Sequence, residues 1–239
     1  MTLIEFLKSI GAIGLSGHYR LASGKHSNAY VDMRAGFAYP QFNALVTEKF
    51  STEIMRGVSN DTIQYPDLIV GFGNCGPVLA SLTAQGLAQD PHGERVRCIW
   101  CVPNDTGDGF IFPPKMPFAQ MVSPGMTAVI VDDLLTTGSS MKKQAEFLAG
   151  LGVEVSAGIV GVCRTDGIRA VDCGVPELSA LEFIESGDIS LYDPGKKLVP
   201  YVTGHDNGCP LCEAGVPMRR GIAHNDTFLD ENPAYPVEQ

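Results

Sequence analysis

A chain of 239 residues with 44% apolar composition can bury one α/β core with room for a small addition. Its formal charge of −10 argues against a broad nucleic-acid or membrane-surface role, since both need clustered Lys and Arg to meet phosphates. Small anionic ligands stay accessible through local dipoles.

In chain order, Met1 to Ile10 carries Glu5 and Lys8 within its apolar run and lacks the basic start and cleavage site of an export signal, so it reads as an amphipathic helix. Residues 12 to 38 are rich in Gly, His, Ser and Tyr and hold no long helical pattern, which predicts a small irregular or β-rich appendage. Phe42, Leu45, Val46, Phe50 and Ile54 follow helical spacing. Five short apolar runs come next: Leu68 to Phe72, Val96 to Val102, Thr127 to Val131, Val153 to Val162, and Leu178 to Ile184. Helical segments lie between several of them, and this alternation predicts a mainly parallel sheet of about five strands flanked by helices.

The uncharged stretch from Leu68 to Gln89 is long enough to span a bilayer, but Gly71, Gly73, Asn74, Gly76 and Pro77 interrupt it, so it reads as strand, loop and helix. Pro77 suits a first helical turn. Ser139 or Ser140 suits the N-cap of a helix running to Leu151, with Met141, Ala145, Leu148 and Gly152 on one face. From about Ser186 the chain is rich in Pro, Gly, Asp and Asn and reads as an extension wrapping the domain. Seven cysteines, an odd number, favour reduced thiols in the cytoplasm.

The chemistry concentrates in Ala128-Val-Ile-Val-Asp-Asp-Leu-Leu-Thr-Thr-Gly-Ser-Ser140, where a buried strand delivers two adjacent carboxylates and then a small-residue turn that opens a helix. Backbone N–H groups and the hydroxyls of Thr136, Thr137, Ser139 and Ser140 would meet a 5′-phosphate at the positive end of the helix dipole, with Gly138 allowing close approach. Asp132 and Asp133 would accept hydrogen bonds from ribose hydroxyls and offset positive charge developing at C1′. An acidic strand end before an ordinary capped helix is the plain alternative.

Gly71-Phe-Gly-Asn-Cys-Gly76 matches G-x-G-x-x-G, so a dinucleotide-binding domain competes. That reading needs an acidic residue closing the next strand, and Val96 to Val102 ends in Pro103-Asn104 with no acid before Asp105. A purely structural tight turn is the other alternative.

The run from Ala128 to Ser140 closely resembles the phosphoribosyl diphosphate (PRPP) motif of type I phosphoribosyltransferases. His18-Tyr-Arg-Leu-Ala-Ser-Gly-Lys-His-Ser-Asn-Ala-Tyr-Val-Asp-Met-Arg34 resembles the hood of the orotate phosphoribosyltransferases. The resemblance covers about residues 1 to 185 and implies a phosphoribosyltransferase domain there, with a small N-terminal hood over about 12 to 38, followed by the extension 186 to 239. It further implies pyrophosphate binding by Gly73, Asn74, Cys75 and Gly76. Ser23, Gly24, Lys25, Tyr30 and Val31 would contact the base, and Arg164 would clasp a carboxylate, a task that suits a planar guanidinium. The implied reaction transfers ribose 5-phosphate from Mg²⁺-bound PRPP to orotate in a homodimer, with no nucleic acid or membrane partner. The alternatives are another base, or a regulator that binds PRPP or a nucleotide without turnover.

One segment departs from the family. The family's mobile loop after the second strand carries basic residues, whereas here Val102 to Pro117 places Asp105 near a family lysine, adds Asp108, and offers Lys115 as its one cation. Lys115, or a cation from a partner subunit, is therefore the candidate for charge compensation at the leaving group, beside the catalytic carboxylates of Asp132 and Asp133.

Cys98-Ile-Trp-Cys101 and Cys209-Pro-Leu-Cys212 have a spacing that can build a zinc site. Residues three apart on a strand point to opposite faces, so the first pair is unsuited. Zinc at Cys209 and Cys212 stays open beside the default of isolated thiols.

Overall fold

The computed structural model describes residues 1–14, 17–20, 25–91, 93–107, 109–164, 168–184, 192–193, 196–197, 201–202 and 209–238. The chain divides into two compact units, Met1–Leu3 with Phe37–Phe183, and Ile4–Gly36 with Ile184–Gln239.

In the first unit the apolar runs become a six-stranded sheet: β1 (Leu68–Phe72), β2 (Arg97–Pro103), β3 (Phe110–Ile111), β4 (Thr127–Leu135), β5 (Glu154–Cys163) and β6 (Leu178–Phe183). Their order is β6-β5-β4-β1-β2-β3. The five longer strands run parallel, and only the two-residue β3 is antiparallel, folding back on β2. β3 escapes the sequence patterns because two residues carry no period.

The sheet needs cover on both faces, because alternate residues of its central strands are all buried. Leu68, Val70, Phe72, Ile99 and Ile130 pack with Met141, Ala145 and Leu148 of the helix α3 (Ser139–Gly150). The alternate residues Ile69, Val129 and Val131 are fully buried too. Helix α2 (Gly76–Leu87) packs on β1, β2 and β4 and against α1 (Pro40–Ser59). α1 buries Phe42, Val46, Phe50 and Ile54 completely, each worth about 1.5–3 kcal/mol relative to exposure.

Pro77 occupies the first turn of α2 as expected. The expected Ser139 or Ser140 cap of α3 is replaced: Gly138 stands at the N-cap in the left-handed region (φ 76°), without a side-chain cap bond. Ser139 already belongs to the helix, and its hydroxyl bonds Thr137 Oγ1 at 3.0 Å instead. Between β2 and β3, Asn104 N–H donates to Gly109 O (3.0 Å) and Gly107 N–H to Asn104 O (3.0 Å), closing a hairpin. Phe110 anchors that hairpin edge-on to Phe72, ring centroids 4.8 Å apart.

The second unit is built from short pieces. Ile13–Gly14 pairs with Tyr30–Val31, and Tyr201–Val202, Lys25–Ser27 and Tyr19–Arg20 form a three-stranded antiparallel sheet. Asn225, fully buried at the start of the Asn225–Glu231 helix, ties this sheet to the C-terminal segment. Its Oδ1 accepts from Arg20 N–H (2.8 Å), and its Nδ2 donates to the carbonyls of His18 (3.2 Å) and Arg219 (3.0 Å). Among the described residues no helix is long and apolar enough to cross a membrane.

Candidate active site

From β1 the chain crosses to β2 on one side, whereas β4 pairs on the other side of β1 and leads on to β5 and β6. The strand order therefore reverses between β1 and β4, and a crevice opens at the carboxyl ends of such strands. Both chemistry-bearing loops emerge there. Register pairs Leu68 with Ala128 and Gly71 with Val131, so the glycine loop and the two aspartates leave the sheet side by side.

The glycines have distinct reasons. Gly71 and Gly76 press backbone on backbone, and a Cβ on either would collide with the other. Gly73 turns through the left-handed region (φ 64°), and its N–H donates to Cys101 O at 3.1 Å. Cys75 is buried and Asn74 exposed. The Cys75 thiol donates to Asp133 Oδ2 at 3.0 Å, joining the two loops across 58 residues of sequence.

Asp132 and Asp133 are both half-buried. Asp132 holds the more internal set of bonds. Its Oδ1 accepts from the Asp133 N–H (2.9 Å) and its Oδ2 from Gln144 Nε2 (3.2 Å). Burial, followed by the charge of Asp133, pushes the Asp132 carboxyl well above its ordinary value. Thr136 is half-buried, while Thr137, Ser139 and Ser140 are exposed at the start of a 12-residue helix. The Cys173 thiol fills the place where a side chain on Gly138 would go, so only glycine fits.

Arg164 follows β5 and is 5% exposed, with its N–H donating to Leu135 O (2.9 Å) at the end of β4. Such burial does not suit a solvated surface ion pair. Lys115 lies in an exposed turn with φ 71° and forms no ion pair among the described residues. Asp105 is exposed, and Asp108 lies outside the described residues.

Ser23 and Gly24 also lie outside the described residues, and Lys25 is described only as backbone in its strand. Val31 is buried. Tyr30 stacks on Tyr19 with centroids 5.6 Å apart, and its hydroxyl accepts from Arg34 Nη2 (2.9 Å). Burial is the main cause raising the Tyr30 hydroxyl above its ordinary value.

Sequence reasoning missed Gln144 as the partner of Asp132, and Cys173 as the stop behind Gly138. Gln144 did leave a signal. It stands at i+3 on the buried stripe Met141, Ala145, Leu148, where a polar residue needs a partner.

A strand-order reversal flanked by a glycine loop and an Asp-Asp-containing turn at a helix start defines a type I phosphoribosyltransferase fold. Residues 51–167 match the phosphoribosyl transferase domain family. The chain is 30% identical over 217 residues to the orotate phosphoribosyltransferase of Thermotoga petrophila, covering 90% of this chain and 95% of that one. It belongs to the orotate phosphoribosyltransferase family. Among solved structures, the orotate phosphoribosyltransferase of Aeropyrum pernix superposes with a TM-score of 0.54 at 23% identity, over 76% of this chain and 94% of the other. Adenine phosphoribosyltransferase from Saccharomyces cerevisiae superposes with a TM-score of 0.53 at 14% identity, over 74% and 99%. The fold is thus shared by enzymes named for different bases.

Proposed function

We propose that this chain transfers ribose 5-phosphate from PRPP to N1 of orotate, giving orotidine 5′-monophosphate and pyrophosphate in pyrimidine nucleotide biosynthesis. The observation that carries the reading is the Cys75–Asp133 contact, which holds the pyrophosphate loop against the ribose-binding carboxylates where the strand order reverses.

The C1′–O bond to pyrophosphate breaks as the N1–C1′ bond forms, so positive charge develops on the ribose ring and negative charge on the leaving group. Asp132 and Asp133 accept from the ribose hydroxyls, and Asp133 offsets the ring charge. Backbone N–H groups of Gly73 to Gly76 bind the leaving pyrophosphate. The turn from Thr136 to Ser140 and the α3 N-terminus hold the 5′-phosphate. In this reading the hood residues Ser23, Gly24, Lys25, Tyr30 and Val31 receive the base, and Arg164 pairs with its carboxylate.

The hard oxygen donors of Asp132 and Asp133 fit an Mg²⁺ brought in by PRPP. When bound, the ion would neutralise pyrophosphate oxygens. Lys115 is the cation we assign to the leaving group within a homodimer. Its turn is exposed, which leaves the side chain reach. The setting is cytoplasmic.

Protein, Mg²⁺, PRPP and orotate mixed together should consume orotate absorbance, and adenine in place of orotate should give no nucleotide. PRPP-induced thermal stabilisation without turnover would replace transfer by binding alone. Arg164→Ala should raise the KM for orotate roughly 10- to 100-fold, the scale of a lost charged hydrogen bond, with little change for PRPP. An equal rise for both substrates would remove Arg164 from base recognition.

A further inference from the structure

The second unit holds a group of side chains that the transfer reaction does not use. His18, His26, Cys209 and Cys212 bring one ligand atom each within 4.8 Å of one another, and the first three are buried. His18 Nε2 lies 2.9 Å from His26 Nδ1, 3.5 Å from Cys209 Sγ and 3.6 Å from Cys212 Sγ, while His26 Nδ1 is 3.4 Å from Cys212 Sγ. A tetrahedral zinc ion with bonds of about 2.3 Å to sulfur and about 2.0 Å to nitrogen sets its N···S edges at roughly 3.5 Å and its N···N edge at roughly 3.3 Å. Three of the four N···S separations already match, and the fourth, His26 to Cys209, lies within 4.8 Å. The imidazoles need to part by only a few tenths of an ångström.

The surroundings fit a metal as well as the distances do. His18 Nδ1 lies 3.0 Å from Val216 O, and a carbonyl only accepts, so Nδ1 carries the proton and the Nε2 lone pair faces the cluster. Tyr235 braces the same side, its hydroxyl donating to Val216 O at 2.9 Å. Such an outer partner fixes the tautomer of a ligating histidine. The Cys212 N–H donates to Cys209 Sγ (3.3 Å), which favours a thiolate there.

Two thiolates, two neutral imidazoles and one Zn²⁺ sum to zero charge, so the filled site sits cheaply beside the small apolar cluster of Met218, Phe228 and Leu229. Strands of only two or three residues surround that cluster, a setting in which a metal staple contributes folding free energy. Cys98 and Cys101 are not members of the group.

We infer that His18, His26, Cys209 and Cys212 form a structural zinc site that fastens the C-terminal segment to the N-terminal appendage. Four protein ligands close the coordination sphere, so the ion has no position for substrate. The inference stands independently of which base the enzyme uses.

Untagged protein purified under reducing conditions should contain one zinc per chain by elemental analysis and keep it through dialysis against EDTA. Cobalt(II) in place of zinc should give the visible bands of a tetrahedral ion and a sulfur-to-cobalt charge-transfer band. Cys212→Ser and His26→Ala should lose the metal and melt lower, whereas Cys98→Ser should keep it. Wild-type protein that carries no zinc and takes up neither zinc nor cobalt when reduced overturns the site, even if the variants fail to fold. Full zinc content in both Cys212→Ser and His26→Ala overturns it equally.

Discussion

The two units solve the problem of cohesion differently. In the first, apolar residues recur along five parallel strands and three long helices, and the core is a continuous sheet of Leu, Ile, Val, Phe and Met contacts. In the second, strands of two or three residues are held by individual polar groups, among them the buried His18, His26, Ser27 and Asn225. Apolar packing is non-directional, so a volume-conserving apolar swap costs under about 1.5 kcal/mol. A buried polar clamp is directional, and removing one partner leaves the others desolvated and unpaired.

The largest effect that would test this contrast is on chemistry in the first unit. Asp132→Asn with Asp133→Asn should lower kcat/KM by on the order of 100-fold or more, as expected for lost charge stabilisation, while circular dichroism stays native. Undiminished turnover would mean that the carboxylates serve the fold instead of the ribose.

In the second unit, Asn225→Ala should cost roughly 2–3 kcal/mol locally, since it strands the Arg20 N–H and two carbonyls. Hydrogen exchange should rise in residues 17–20 and 219–229 and stay unchanged along β4. Loss of protection across both units alike would show that they unfold as one, and the contrast would fail.

The smallest effect concerns pH. With its carboxyl raised in the folded state, Asp132 carries no penalty below the ordinary carboxylate range, where it is protonated folded and unfolded alike. As pH rises above that range the unfolded state ionises first, so the folded state loses stability. Asp132→Asn should therefore melt higher than wild type at pH 8, by on the order of 1 kcal/mol, with the gain fading toward pH 4. A gain independent of pH would point to packing instead of charge.

The sheet was legible because its cause is local. Leu68 to Phe72 matched its strand end for end, and the other four runs matched within a few residues, since burial on both faces writes a continuous apolar run into the sequence. The turn from Thr136 to Ser140 was legible as a strand-to-helix connection for the same reason: adjacent aspartates, hydroxyls and Gly138 lie within one short segment. The cap of α3 was misplaced by one or two residues: Gly138 takes the N-cap, and the Cys173 thiol that excludes a side chain there lies 35 positions downstream.

By itself, then, the sequence determined the parallel sheet, the two loops and the family resemblance, all of which arise from patterns that run along the chain. Only the tertiary structure decided that Cys75 would hold Asp133, that Gln144 would serve Asp132, and that Arg164 would be buried beside Leu135. It alone brought His18 and His26 to a pair of cysteines 183 to 194 residues away. Convergence of side chains over such separations is fixed by how elements pack, and it leaves no period in the sequence to read.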